Sequence, residues 1–343
     1  MKYFVGIDQG GSKTEILIGD ENGILIDKST GSGYTEFLPE LLEKLQSKSL
    51  DVQGYNSEFQ KKYFDLQITH LKNLLTKNNL ELSDVYALVA SAAGPDNEDM
   101  RISFETELRK RISAENVSLY NDMYGAWRAG TDKRPSGVIA IGTGTGIMLF
   151  HENGDSTILT PNIKHQAARE LGYRAFLHAC FTAIKILEPT ILTEKICEFA
   201  KTPTIEEALA KTKHGQDISA LPYQFFVPYV YEAALNKDRV ALDFVTQVGN
   251  GFAECIRTGI KDAGWENREI LLVLSGGSFK GKGHVMEKVI KDSLADLQNL
   301  ILFQAEYEPV YGALTLAYEK YNNGTVPQIT SEDISKFKLK REL

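Results

Sequence analysis

The chain has 343 residues, 43% of them hydrophobic and 24% charged, with a formal net charge of −8. This is a globular composition, long enough for two domains, and it excludes a disordered or fibrous chain. The acidic balance excludes non-specific nucleic-acid binding, which needs clustered positive charge, but leaves room for an electropositive pocket.

The first element is KYFVGID, residues 2–8, whose short β-branched and aromatic run predicts a strand. TEILIG follows as a second strand, the DENG turn reverses the chain, and ILIDKS is a third. Between Pro39 and Asn79 the pattern turns helical, with Leu41, Leu42 and Leu45, then Leu71, Leu74 and Leu75, at helical spacing. DVYALVASAAG reads as a buried strand, DMRISFETELRKRI as an amphipathic helix, and NVSLYND as a strand running into the helix MYGAWRAG. Three meander strands followed by alternating helix and strand give an α/β fold with a mixed sheet.

The design then starts again. GVIAIGTGTGIMLFHENGDSTIL, residues 137–159, repeats the order of apolar strand, Gly/hydroxyl loop, strand, ENG turn and strand. A shift of 131 positions places Gly11 on Gly142, Ser12 on Thr143, Thr14 on Thr145 and Glu21-Asn22-Gly23 on Glu152-Asn153-Gly154. A period this long predicts a duplicated domain rather than a solenoid, whose repeats run to about 20–50 residues. A mostly helical insertion is expected over about 165–263, then strand, glycine turn and helix from Arg268, strand, loop and helix from Leu300, and a loose polar tail over 324–343.

Both Gly/hydroxyl loops join strand to strand, so neither is a Walker loop nor a dinucleotide fingerprint, each of which opens a helix. They can still hold phosphate, because successive backbone N–H groups form an anion-binding concavity where no Cβ blocks the approach. A third cluster, SGGSFKGKG at 275–283, strengthens that reading over plain hairpins. Asp8, ending the first strand, suits Mg²⁺, which takes one or two carboxylates and keeps waters; the alternative is a turn-forming Asp. Asp122 ends a strand and precedes a helix, where it could cap the helix or face a ligand crevice. Cys180, Cys197 and Cys255 form no CxxC pair and read as buried free thiols. With no leader-like start and no apolar run of about 18 residues, the chain reads as soluble and cytoplasmic.

The motifs DQGGSKT, NDMYGAWRAGT, AIGTGTG and LSGGSFKGKG resemble, in order and spacing, those of the superfamily of acetate and sugar kinases, heat-shock chaperone ATPases and actin. The likeness is to its BadF/BadG/BcrA/BcrD-type branch, which contains N-acetylglucosamine kinase, and it runs from Asp8 to about Tyr318. It implies two duplicated ribonuclease-H-like domains, 1–120 and 121–310, with mixed sheets around a nucleotide cleft. A helix over 311–322, starting at Gly312 and Ala313, would pack back on the first domain. It implies ATP and Mg²⁺ as cofactors. Gly10, Gly11, Ser12, Lys13 and Thr14 would form the first phosphate loop with Asp8 near the metal; Gly142, Thr143, Gly144 and Thr145 the second; Gly276, Gly277 and Ser278 would line the adenosine pocket. Asp122 falls where sugar kinases keep the catalytic base.

On the acceptor side the chain departs from the branch. Thr35 and Glu36 stand near the usual Asn, and RELGYR replaces GDEGS, leaving Glu170 in place of the Asp and Leu171 in place of the Glu. Arg169, Tyr173 and Arg174 reach one face at helical spacing; they either line the acceptor pocket, where guanidinium groups would suit an acidic sugar, or form a solvated face with a structural ion pair. The activity implied is phosphotransfer from ATP to a hydroxyl of a small amino sugar, without nucleic acid or membrane as partner and with a homodimer open. The alternatives are an ATPase that drives a partner protein and a nucleotide-binding regulator without turnover. No Cys stands on a glycine turn, as an iron–sulfur ATPase activator would require.

Overall fold

The computed structural model describes residues 1–112, 114–142, 144–159, 167–211 and 226–341. The chain divides into two compact units, one of Met1–Asp132 with the C-terminal segment from Ala305, the other of Lys133–Gln304.

In the first unit, β1 (Tyr3–Gln9), β2 (Lys13–Asp20) and β3 (Leu25–Ser32) form an antiparallel meander, and β4 (Val85–Ala92) and β5 (Asn116–Asn121) extend it in parallel on the β1 side, in the order β3-β2-β1-β4-β5. The period-2 alternation of β1 and β2 supplies two cores at once. Val5, Ile7, Ile16 and Ile18 face the helices α2 (Val52–Lys77) and α3 (Glu98–Arg111), through Tyr63, Phe64, Phe104 and Leu108. The short helix α1 (Leu38–Gln46) precedes α2. Phe4 and Leu17, pointing the other way, pack on Leu314 and Tyr318 of α11 (Pro309–Tyr321). Glycine makes that contact possible: a Cβ at Gly6 would overlap the Leu314 backbone, and one at Gly312 would overlap the carbonyl of Gly125 in α4 (Asp122–Arg128).

Two details of organisation differ from the sequence expectation. The division falls after Asp132 rather than at 120, because α4 is fastened to β4 and α11 and so belongs to the first unit. The C-terminal segment is not loose. It forms α12 (Ser331–Lys336), buries Ile329 and Leu339 in the α11-side core, and pairs Tyr307 with Lys340. Ile334 and Phe337 pack against the same core, so a few apolar residues among many polar ones dock it.

The second unit repeats the plan. Here β6 (Ser136–Ile141), β7 (Thr145–Phe150) and β8 (Ser156–Ile158) form the meander, and β9 (Ile270–Ser275) and β10 (Leu300–Gln304) add in parallel, in the order β10-β9-β6-β7-β8. The duplication extends to single hydrogen bonds. Gly23 N–H donates to Asp20 and Asp20 N–H to Ile24; at the shifted positions Gly154 donates to His151 and His151 to Asp155. Both glycines have positive φ, +88° and +97°, the conformation this turn demands. Between β8 and β9 lie α5 (Ala167–Ala183), α6 (Ile191–Ala200), α7 (Ile205–Lys211), α8 (Val227–Leu235) and α9 (Arg239–Asp262), which bury one face of the sheet; α10 (His284–Ser293) joins β9 to β10. Cys180, Cys197 and Cys255 lie on α5, α6 and α9 as free thiols, half-buried rather than fully buried.

Candidate active site

The first Gly/hydroxyl loop is the β1–β2 hairpin. Gly10 N–H donates to the Lys13 carbonyl at 2.9 Å, closing a tight reversal that exposes Ser12 at its tip and leaves Gly11 half-buried. The loop leans on the segment after β3: Thr35 bonds the Gly11 carbonyl through both its amide (3.0 Å) and its hydroxyl (2.7 Å), and a Cβ at Gly33 would overlap Gly11. Thr35 therefore supports the loop from beneath, and its hydroxyl is occupied in doing so. Thr14 is fully buried and its Oγ1 has no hydrogen-bond partner. A buried hydroxyl left unpaired is costly, and marks a position where a ligand atom would restore the missing bond.

Asp8 sits within β1, in register with Glu15 of β2 on one side and Ser91 of β4 on the other. It is buried, and burial raises its pKa to about 8 against the opposing pull of Lys13, with Glu15, Asp122 and Glu308 adding to the rise. Lys13 ion-pairs with Glu15 and approaches Glu308 at 3.7 Å, while Glu15, itself buried, also binds Lys28 at 2.8 Å. Burial opposes but does not overcome these pairings, so the lysine is held above and Glu15 below its ordinary value. Among the described residues no cluster of three His, Cys, Asp or Glu could hold a metal by itself. A single carboxylate completed by waters and phosphate oxygens is, however, the ligand set Mg²⁺ prefers.

Asp122 is the first residue of α4, and the cap is not its work. Asn121 caps the helix, its Oδ1 accepting the Met123 amide at 3.0 Å. Asp122 is half-buried and its pKa is raised to about 6, first by burial and then by the charge of Asp96, against the lowering effect of backbone N–H groups. The phenols of Tyr34 and Tyr63 lie within its field, both raised mainly by burial and further by Asp122. Neither Asp96 nor Tyr34 stood out in the sequence; the only available signal was the break from the Asn of the resembling kinases at GSGYTEF.

In the second unit, the β6–β7 loop repeats the first loop one residue tighter, with Gly142 N–H donating to the Gly144 carbonyl at 2.8 Å. Among the described residues a Cβ built at Gly142 or Gly144 would meet nothing within 4 Å, so side chains here would not strain the hairpin against them. Thr145 opens β7; Thr143 lies outside the described residues. Gly276 follows β9 with φ +95°, and a Cβ there would overlap the Ile141 carbonyl, so this turn and β6 require glycine of one another. Gly277 again faces open space, and Ser278 is buried beside Tyr231.

The residues expected on the acceptor side fall in both units, Glu36 in the first and Glu170 and Arg174 in the second. Glu36 is exposed. Arg174 of α5 donates to Glu170 at 2.7 Å and to Gln247 of α9 at 2.6 Å. The structural ion pair is thus present, and Nε and Nη1 of the guanidinium have protein partners.

With this geometry in place, comparison with known proteins becomes informative. Over residues 5–317 the chain matches the profile of the BadF/BadG/BcrA/BcrD ATPase family. The chain belongs to this family. An N-acetyl-D-glucosamine kinase of Dictyostelium discoideum is 23% identical over 325 residues, covering 92% of this chain and 98% of the relative. An N-acetylmuramic acid/N-acetylglucosamine kinase of Clostridium acetobutylicum is 21% identical, with the same coverage. In fold, a provisionally assigned N-acetylglucosamine kinase from Chromobacterium violaceum superposes with a TM-score of 0.68 at 18% identity, over 92% of this chain and 99% of that one. A ROK family glucokinase from Streptomyces griseus, solved with glucose and AMPPNP, gives 0.57 at 15% identity with the same coverage. Two mixed five-stranded sheets of one connectivity are the fold these proteins share with it.

The residues present suit the ATP that an ATPase family implies. The unpartnered Thr14 hydroxyl, the open space over Gly142 and Gly144, and the buried Asp8 carboxyl are features an apolar hairpin would not carry.

Proposed function

We propose that this chain is a kinase that transfers the terminal phosphoryl group of ATP to a hydroxyl of an amino sugar, of the N-acetylhexosamine class named for its relatives. The single observation that carries the reading is Asp122 at the head of α4, relieved of capping by Asn121 and raised to about 6. A carboxylate of that proton affinity is ionised at neutral pH and is matched to accept a hydroxyl proton during transfer.

Phosphoryl transfer asks the protein mainly for positioning and charge stabilisation. Backbone N–H groups of the 10–14 and 142–145 loops, with the Thr14 hydroxyl and the Lys13 ammonium, would hold phosphate oxygens; Asp8 would hold Mg²⁺, which when bound neutralises phosphate charge. Gly276, Gly277 and Ser278 would shape the wall for the adenosine. Thr35 keeps the first loop in place, and Asp122 orients and deprotonates the acceptor. Glu36, Glu170 and Arg174 are kept as candidate acceptor contacts, with Arg174 the weakest because its guanidinium is already bonded.

The test is ADP release from Mg²⁺-ATP across N-acetylglucosamine, N-acetylmuramic acid, glucosamine and glucose, against a blank without sugar. Release that depends on an amino sugar supports the reading. Equal release in the blank would make the chain an ATPase, and ATP binding without release would make it a regulator.

A further inference from the structure

Asp96 belongs to none of the motifs that mark the nucleotide loops, yet it is tied to the head of α4. Its Oδ1 accepts from Asn121 Nδ2 at 3.0 Å, and the same amide nitrogen reaches the Pro95 carbonyl at 3.4 Å. The other end of that amide, Oδ1, accepts the Met123 N–H at 3.0 Å. Asn121 is buried and spans from the β4–α3 loop to the first turn of α4, with Asp122 between its two attachments. The loop is shaped for this: Gly94 takes φ +120°, and Asp96 N–H closes on the Gly94 carbonyl at 2.9 Å. Among the described residues Asp96 has no cationic partner.

We propose that Asp96 is a positioning residue for the transfer reaction, fixing the Asp122 carboxylate through Asn121 and biasing it by its own negative charge. The proposal rests on Asp122 being the base. The groups that face Asp122 are Asp96 from the loop, Asp8 from β1, Tyr34 from the turn after β3, Tyr63 from α2 and the Met123 amide of its own helix. The tyrosines and Asp8 hold their protons where Asp122 titrates and none of these groups is a cation, so Asp96 is the charge that makes Asp122 hold a proton more tightly. The hydrogen bond and the charge are separable. Asn at 96 keeps an oxygen for Asn121 and removes the charge; Ala removes both.

The experiment is the pH profile of kcat/KM for the best amino sugar in wild type, Asp96→Asn, Asp96→Ala and the exposed control Asp99→Asn, with melting curves for all four. We expect Asp96→Ala to lose about tenfold in kcat/KM at pH 8, short of the about 10²-fold that a 1 Å misplacement can cost, and Asp96→Asn to recover most of it. The acid limb of Asp96→Asn should move below that of wild type, and the control should match wild type throughout. Equal loss in the Asn and Ala variants, or an unmoved acid limb in Asp96→Asn, would overturn the proposal. If wild type phosphorylates no sugar, the kinase reading fails separately. The Asp96 link is then decided by the carbon-13 carboxyl titration of Asp122 in the whole chain: a lower midpoint in Asp96→Asn supports it, and an unchanged midpoint overturns it.

Discussion

The hydroxyl of Ser91, at the end of β4, accepts the Gly125 amide of α4 at 2.8 Å and shares its proton between the Asn121 and Asp122 carbonyls, 3.1 Å from each. Ser91 is fully buried, so one side chain fastens the helix that carries Asp122 to the strand beside Asp8. Ser91→Ala removes the side-chain acceptor of the buried Gly125 amide and the donor to the Asn121 and Asp122 carbonyls, and losing such buried partners costs about 1–3 kcal/mol. We expect urea unfolding to register that loss, and kcat to fall while the affinity for ATP is kept. An unchanged kcat would mean that Asn121 and α11 packing place Asp122 without help from Ser91.

Asp122→Asn should lower kcat by about 10²–10⁴-fold, the range for losing a positioned base, with ATP affinity barely altered. The wild-type profile follows from the raised carboxyl: the base works when ionised, so activity falls as pH drops through about 6. More than a tenth of wild-type activity in the Asn variant would remove Asp122 from the chemistry.

Asp8 makes a prediction about stability. Its carboxyl binds a proton up to about pH 8 in the fold, against an ordinary value of 3.8. The folded chain therefore holds more protons than the unfolded one across that window, and stability falls as pH rises through it. Asp8→Asn abolishes this penalty, so its melting temperature should gain on wild type between pH 4 and pH 8 while phosphotransfer is lost. Parallel melting temperatures for the two proteins across the window would show that Asp8 is already ionised in the fold.

How far the sequence reaches is set by the kind of contact involved. The two meanders were readable because each consists of adjacent apolar runs around a glycine turn, and the repeat of ENG tied Gly23 to Gly154 before any coordinates. The head of α4 was not readable in full. Asp122 could be placed at the junction of β5 and α4, but its relief from capping depends on Asn121, and its setting on Ser91 and Asp96, residues that tertiary pairing brings from β4 and the loop after it. The docked C-terminal segment escaped for a similar reason. Its composition is polar, and the two anchors Ile329 and Leu339 gain meaning only beside the Phe4–Leu17 face. Thr35 was noticed for its position, whereas its bond to Gly11 belongs to a fold contact between β3's exit and the first loop.

Two glycines should separate turn geometry from ligand access. At Gly144 a side chain enters open space without a left-handed backbone, so Gly144→Val is expected to fold normally and lose ATP binding. At Gly276 the positive φ and the Ile141 carbonyl leave no room, so Gly276→Ala should lose about 1–3 kcal/mol of stability. Isothermal titration with an ATP analogue and denaturant unfolding read the two effects independently. A Gly144→Val protein with wild-type ATP affinity would reduce the second loop to a hairpin turn.

The acceptor's charge is the last point at issue, and Arg174 decides what to expect. Arginine forks suit carboxylates, so a free guanidinium on α5 would favour an acidic amino sugar such as N-acetylmuramic acid. Here Nε is bonded to Glu170 and Nη1 to Gln247, and engaging a substrate carboxylate side-on through Nε would break the bond to Glu170. Arg174→Ala should therefore change KM for N-acetylglucosamine and for N-acetylmuramic acid by the same factor, acting through the α5–α9 contact. A loss confined to the acidic sugar would show that the guanidinium exchanges Glu170 for the substrate carboxylate during binding.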